Sequence, residues 1–288
     1  MPRGPPLGNT PIQRPPSVNW DTSDHTVALV EASLRGNPII VQELLNFGAN
    51  INAQNGSGFA ALHAAASRGH VQAVDTLIRA GADPNTVTTH GWTPLHLATI
   101  NGHEDVVRRL VSVPGINKYV AEDPDRCTPL QAASQIGQVR IVRILLEGIE
   151  NGVVEREACS RALLSASSNC HMEIVRMLLD VGTSTDFSND EGFTPLQAAA
   201  QGGDLALVEL LLARGSNPNT SNVHGYTPLH SAALHQHAEV VKRLLDAGVD
   251  PNKVSNTGLL ALDAAAQAGS EVTVRYLLTA MRNGRVNA

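Results

Sequence analysis

Gly91-Trp92-Thr93-Pro94-Leu95-His96, followed by Asn101-Gly102-His103, is the stretch that decides how this chain folds. Thr93 stands where a helix needs an oxygen to cap its free N–H groups, and Pro94 suits the first helical turn. Gly102 falls one short helix later, where a left-handed residue closes a helix. A second helix is expected over Glu104–Ser112, with Val106, Val107, Leu110 and Val111 as its apolar stripe. The layout recurs along the chain. Thr128, Thr194 and Thr227 repeat the cap, and Gly69, Gly137, Gly203 and Gly269 repeat the helix end. Gly48, Gly81, Gly182, Gly215 and Gly248 close second helices and lead into Asn/Asp-rich turns.

The repeat has a measurable period. Leu29, Leu62, Leu95, Leu130, Leu163, Leu196, Leu229 and Leu262 are spaced by 33 residues, except for 35 between Leu95 and Leu130. Eight such units account for Thr22 to Asn287, divided as 22–54, 55–87, 88–120, 123–155, 156–188, 189–221, 222–254 and 255–287. Residues 1–21 precede the array as a proline-rich tail, which reads as flexible or polyproline-like chain, the alternative being a segment that folds back along the groove or serves as a docking peptide. One helix pair cannot bury its own apolar face, so neighbouring units must stack into a continuous core.

The chain resembles the ankyrin-repeat family. Gly225-Tyr226-Thr227-Pro228-Leu229-His230 carries the likeness as clearly as the first stretch, as do Gly81-Ala82-Asp83-Pro84-Asn85 and Gly248-Val249-Asp250-Pro251-Asn252. The resemblance implies an all-α solenoid of stacked helix-turn-helix units with short β-hairpin fingers.

Composition agrees and narrows the function classes. Only 3% of the 288 residues are aromatic, so the core must be filled by Ala and Leu. Net charge is −6, and −8 once Arg3 and Arg14 of the tail are set aside, which makes nucleic acid a poor partner. No apolar run is long enough to span a membrane, and no secretory signal opens the chain. Three cysteines, Cys127, Cys159 and Cys170, without CxxC spacing suit a reduced intracellular protein, cytoplasmic or nuclear.

The pattern falters in the middle. Val111 to Arg126 carries two extra residues, and Ser160-Arg161-Ala162-Leu163-Leu164 replaces the Gly-x-Thr-Pro-Leu-His form. Val153 to Glu157 reads as a helix extension, with Glu157 and Arg161 paired one turn apart. A finger is therefore expected to be missing or distorted near residues 150–160. Cys170 occupies a helix-ending glycine position, which predicts strain or exposure. At the far end, Val272, Leu277, Leu278 and Met281 are expected to need a cover.

Catalytic signatures are scarce. There is no phosphate-binding loop, no nucleophile elbow and no second histidine to complete a zinc helix after His103-Glu104. His224, His230, His235 and His237 are dense in sequence. However, His230 shares the register of His63 and His96, and His237 that of His70 and His103, so a zinc site is not expected. No catalytic residue, metal or cofactor is therefore assigned. His63, His96 and His230 read as structural bridges between repeats.

In ankyrin-like arrays, recognition uses hairpin tips and inner helices. The resemblance carries this to Phe59, Trp92, Phe193 and Tyr226, just before each cap position, and to His90, Asp125, Glu191 and His224 one turn earlier. On the inner helices it selects Ile100, Gln135 and His235. The aromatics divide between two readings, packing against the hairpins and anchoring a partner. The expected function is a non-catalytic scaffold holding a basic or neutral protein or peptide in its concave groove. The alternative is an unorthodox enzyme or small-molecule binder using a pocket at the irregular centre.

Overall fold

A computed structural model describes residues 25–119, 127–148 and 153–286. Among them are sixteen helices, forming eight consecutive pairs, and a single isolated β-bridge between Val254 and Leu260. The chain divides into two compact blocks, Met1–Cys127 and Thr128–Ala288.

The N-terminal block contains α1 (Thr26–Leu34), α2 (Pro38–Asn46), α3 (Ala61–Ser67), α4 (Val71–Arg79), α5 (Pro94–Ile100) and α6 (Glu104–Val111). The C-terminal block contains α7 (Pro129–Ile136), α8 (Val139–Leu146), α9 (Val153–Ser168), α10 (Met172–Asp180) and α11 (Pro195–Gly202). It continues through α12 (Leu205–Ala213), α13 (Pro228–Leu234), α14 (Ala238–Asp246), α15 (Ala261–Ala268) and α16 (Glu271–Val286). Within each block the first helices of successive pairs pack side by side, and the second helices lie against them as another layer. Ala64, Ala65 and Ala66 of α3 and Ala198, Ala199 and Ala200 of α11 are all buried. Small side chains let the helices approach closely, which is why so few aromatics suffice.

The expected caps are all present. Thr93, Thr128, Thr194 and Thr227 have extended backbones, and each accepts from an N–H in the first turn of its helix. What couples one pair to the next is the residue three places on. His96 Nδ1 accepts from Thr93 N at 3.1 Å, and its Nε2–H donates to the Cys127 carbonyl at 2.9 Å. His63 accepts from Ala60 N at 3.1 Å and donates to the Thr86 and Trp92 carbonyls, each at 3.2 Å. His230 joins Thr227 N at 3.3 Å to the Leu259 carbonyl at 3.1 Å. Gln197 does the same with an amide, accepting from Thr194 N at 3.1 Å and donating to the Tyr226 carbonyl at 2.6 Å. In the last pair Asp263 only closes the cap on Leu260 N, at 2.8 Å.

A second set of histidines locks the turns. The Nε2–H groups of His70, His103, His171 and His237 donate to the carbonyls of Leu34, Ser67, Gln135 and Gln201, each belonging to the preceding pair. These rings lie against Gly36, Gly69, Gly137 and Gly203, where a Cβ would collide with the imidazole. Cys170 and Gln236 take the same left-handed turn position without being glycine, at φ 57° and 64°. In the next pair each is followed not by a ring but by Asp204 or Ser270. Wherever a ring follows, the turn residue is glycine, and the two non-glycine residues stand where no ring follows, as one steric constraint requires.

The irregular centre is resolved in favour of helix. Residues 156–160, which fall in the finger register, lie inside α9, and Glu157 and Arg161 pair at 3.0 Å. Gln131 Oε1 of α7, in the bridging position facing this missing finger, is buried with no partner among the described residues. Cys170 is exposed as its position implied, while Cys159 is buried. Leu277 corrects the expectation for the C-terminal end. It is fully buried, because it points back into the block, while Val272 and Leu278 stay exposed and Met281 is half-buried.

Burial lowers the His63 pKa from 6.5 to about 4, against the opposing pull of the Trp92 and Thr86 carbonyls. His230 shifts the same way, with burial the largest cause. The unfolded chain takes up these protons near pH 6.5 and the folded one does not. Stability is therefore whole above that pH and falls as the pH drops toward 4, by about 3 kcal/mol for His63 alone. His63→Gln should keep both bonds, as Gln197 does, and lose less unfolding free energy in urea titrations between about pH 7 and about pH 4.5. An unchanged acid loss would contradict this.

The turn constraint gives a second test. Gly81 and Gly69 both have positive φ, but only Gly69 faces a ring. Gly81→Ala should cost about 1–2 kcal/mol for the backbone alone. Gly69→Ala should cost more, and the excess should vanish in a His103→Ala background when both are measured by chemical denaturation.

Candidate functional site

The fingers are five-residue loops, and each is built around one polar side chain. Asn222 Oδ1 accepts from His224 N at 3.0 Å and Tyr226 N at 2.9 Å, while Asn222 N donates to the Tyr226 carbonyl at 3.0 Å. Asn189 makes the same bonds to Glu191 and Phe193, and Asn55 to Ser57 and Phe59. Thr88 does so through its hydroxyl for His90 and Trp92. An Asn or hydroxyl side chain can stand in for a backbone turn partner, so the loop holds its shape without a β-ladder.

Neighbouring tips are also tied together. In the N-terminal block Thr89 N donates to the Ser57 carbonyl at 3.1 Å. In the C-terminal block Val223 N donates to Glu191 O at 2.9 Å, and Asn256 N to His224 O at 3.0 Å. Gly58 and Gly225 have positive φ and permit this approach. A Cβ at Gly58 would lie 2.7 Å from the Thr88 Cα, and one at Gly225 2.6 Å from Asn256 N. The tips are thus fixed row by row through backbone, reinforced by the side chains of Thr89, on the Ser57 carbonyl at 3.2 Å, and Asn256, on the Val223 carbonyl at 2.8 Å.

The residues singled out from sequence fall into three environments. His90, Glu191 and His224 stand exposed on fingertips. Phe59, Trp92, Phe193 and Tyr226 are half-buried at the finger bases. The Phe59 ring packs against His63 with centroids 5.5 Å apart, and Tyr226 meets His230 edge-on at 5.4 Å. Each of these two aromatics shields a bridging imidazole and still shows part of itself to solvent. Ile100 and Gln135, at the ends of α5 and α7, are half-buried. His235 is exposed just beyond α13, where its Nδ1–H donates to the Ser231 carbonyl at 2.9 Å and its ring lies parallel to His237 at 6.2 Å. Asp125 lies outside the described residues.

In the C-terminal block the structure gathers Glu191, Phe193, His224 and Tyr226 on two adjacent fingers. In the N-terminal block it gathers Phe59, His90 and Trp92. Sequence reasoning passed over Gln236, an exposed left-handed residue beside His235, although a missing helix-ending glycine marks it as clearly as it marks Cys170. Of the four clustered histidines, His230 and His237 are engaged by backbone carbonyls of other pairs. Among the described residues no group of three or more His, Cys, Asp or Glu is placed to hold a metal ion. Among them, too, no helix is long and apolar enough to cross a membrane.

Asn222→Ala should unfasten one finger without emptying the core. The expected cost is about 1–3 kcal/mol, the usual range for stranded backbone donors. Hydrogen exchange should then accelerate at the His224 and Tyr226 amides while α13 stays protected. Uniform acceleration through α13 would show that the finger and helix are not separable.

Comparison with protein families places the chain. A family model described as ankyrin repeats (3 copies) matches residues 29–122, 80–155, 130–222, 163–255 and 196–288. Comparison with curated proteins gives no match.

Proposed function

The chain belongs to the ankyrin-repeat family, whose all-α solenoids generally mediate protein–protein interaction and are typically non-catalytic, and from that premise we propose that it is an intracellular, non-catalytic scaffold. In this reading it binds a protein or peptide along the fingertips and first helices of its blocks. The observation that carries the reading is the way the tips are made. Backbone bonds such as Val223 N to Glu191 O fix their spacing, while His90, Glu191 and His224 point to solvent with no structural task for their rings or carboxylate in the core. A partner would meet side chains already in place, so little conformational freedom is lost on association. The finger-base aromatics would supply contact area, and their packing against His63 and His230 would hold them rigid. Acidic Asp190 and Glu191 beside His224 favour a basic or neutral ligand in the C-terminal block.

The geometry also says which substitutions separate binding from folding. Tyr226→Ala strips cover from His230, so it tests both at once. His90→Ala and His224→Ala remove exposed rings only. Affinity capture from extract of the source cells, with quantitative mass spectrometry, should show a protein whose retention falls in these two variants, at unchanged melting temperature. If one is a contact anchor, its loss should weaken binding by more than about 1 kcal/mol. Equal retention by the wild type and both variants would move the interface off the fingertips.

A further inference from the structure

Asn55-Gly56 and Asn101-Gly102 are two Asn-Gly pairs that the fold holds in opposite ways. At such a pair the chain can attack itself. The backbone nitrogen after asparagine closes a five-membered ring on the side-chain Cγ, and glycine has no Cβ to obstruct it. The nitrogen must shed its proton, the oxyanion forming on Oδ1 must be stabilised, and the amide must be free to leave. Asn101 meets none of these conditions. Its Nδ2 donates to the Leu97 carbonyl at 2.7 Å, and the Gly102 N–H donates to the Thr99 carbonyl at 3.0 Å. Both reacting groups are tied to the last turn of α5, although both residues are exposed.

Asn55 meets all three. Gly56 is exposed, and its N–H donates to no group among the described residues. The counterpart nitrogens of Thr89 and Val223 are committed to neighbouring fingers. Asn55 Oδ1 accepts from Ser57 N and Phe59 N, each at 2.9 Å, so two backbone donors already converge on the atom where negative charge develops. Nδ2 is buried with no acceptor among the described residues, so its departure removes a stranded donor. Asn189 and Asn222 have the same pair of donors but are followed by Asp190 and Val223, whose side chains crowd the attack.

We propose that Asn55 is a self-modifying site, at which the fastening of its own finger is converted to aspartate and isoaspartate. Base takes the Gly56 amide proton, the nitrogen bonds to Asn55 Cγ, and the Cγ–Nδ2 bond breaks with release of ammonia. Water then opens the succinimide at either carbonyl, so the net change is asparagine plus water to acid plus ammonia. Either product adds one negative charge. Aspartate keeps an oxygen for the Ser57 and Phe59 amides. Isoaspartate puts a methylene into the main chain and unfastens the finger whose Phe59 ring packs on His63.

The full chain, incubated in mildly alkaline buffer with and without guanidinium chloride, is digested and mapped by mass spectrometry for conversion of amide to acid. Isoaspartate is read by its enzymatic carboxyl methylation. In the folded chain Asn55 should convert at least about tenfold faster than Asn101, and in denaturant the two rates should draw together. Gly56 is not left-handed, so Gly56→Ala should leave the chain folded by circular dichroism and slow Asn55 several-fold. Conversion of Asn101 at the same rate or faster in the folded chain would overturn the proposal, by showing that exposure governs. So would an Asn55 rate lower in the folded chain than in denaturant, or one that Gly56→Ala leaves undiminished.

Discussion

In four of the helix pairs a single side chain, three residues after the cap position, does two jobs on which the stacking of the repeats depends. It accepts from the backbone N–H that would otherwise be stranded at the helix start, and it donates to a carbonyl of the next pair. His63, His96 and His230 do this as neutral imidazoles, and Gln197 as an amide. Without these side chains, backbone groups at those helix starts and at the carbonyls they reach would lose their partners, which buried chain almost never tolerates. Ion pairs also cross the seams: Arg143–Glu173 at 3.7 Å is largely exposed and contributes little by comparison, while Arg109–Asp75 at 2.8 Å is mostly buried.

The same division of labour explains how a recognition surface can exist on such a regular frame. Side chains at the cap, the bridge and the turn ring are committed to backbone partners. Asn55, Thr88, Asn189 and Asn222 are committed to the fingers. Positions between them, including His90, Glu191 and His224, carry no such duty, so their identities are free to serve a partner.

Much of this was legible in the sequence, for a physical reason. Caps and left-handed turns depend on one or two adjacent residues, so Thr93, Thr227, Gly102 and Gly203 declare themselves locally. The replaced finger was also readable, since Val153 to Glu157 has helical pairing and no turn residue. The coupling between Gly69 and His103 was not, because it acts between residues a whole unit apart and shows only when the two are seen in contact. The exposure of Ile40, where Ala73 and Val106 are buried, likewise depends on which neighbours a helix has. For the candidate site, the sequence located the finger aromatics but left open whether they pack or bind. Phe59 and Tyr226 pack on a histidine and remain half-exposed, so the two readings are not exclusive.

The bridging arrangement fixes a protonation state that can be read directly. A nitrogen that accepts from a backbone N–H carries no proton, so Nδ1 must be bare and Nε2 protonated in His63, His96 and His230. Imidazole nitrogen correlation spectra of the folded chain at neutral pH should show that tautomer, uncharged, for all three. A proton on Nδ1, or an imidazolium, would mean that these side chains do not join the repeats.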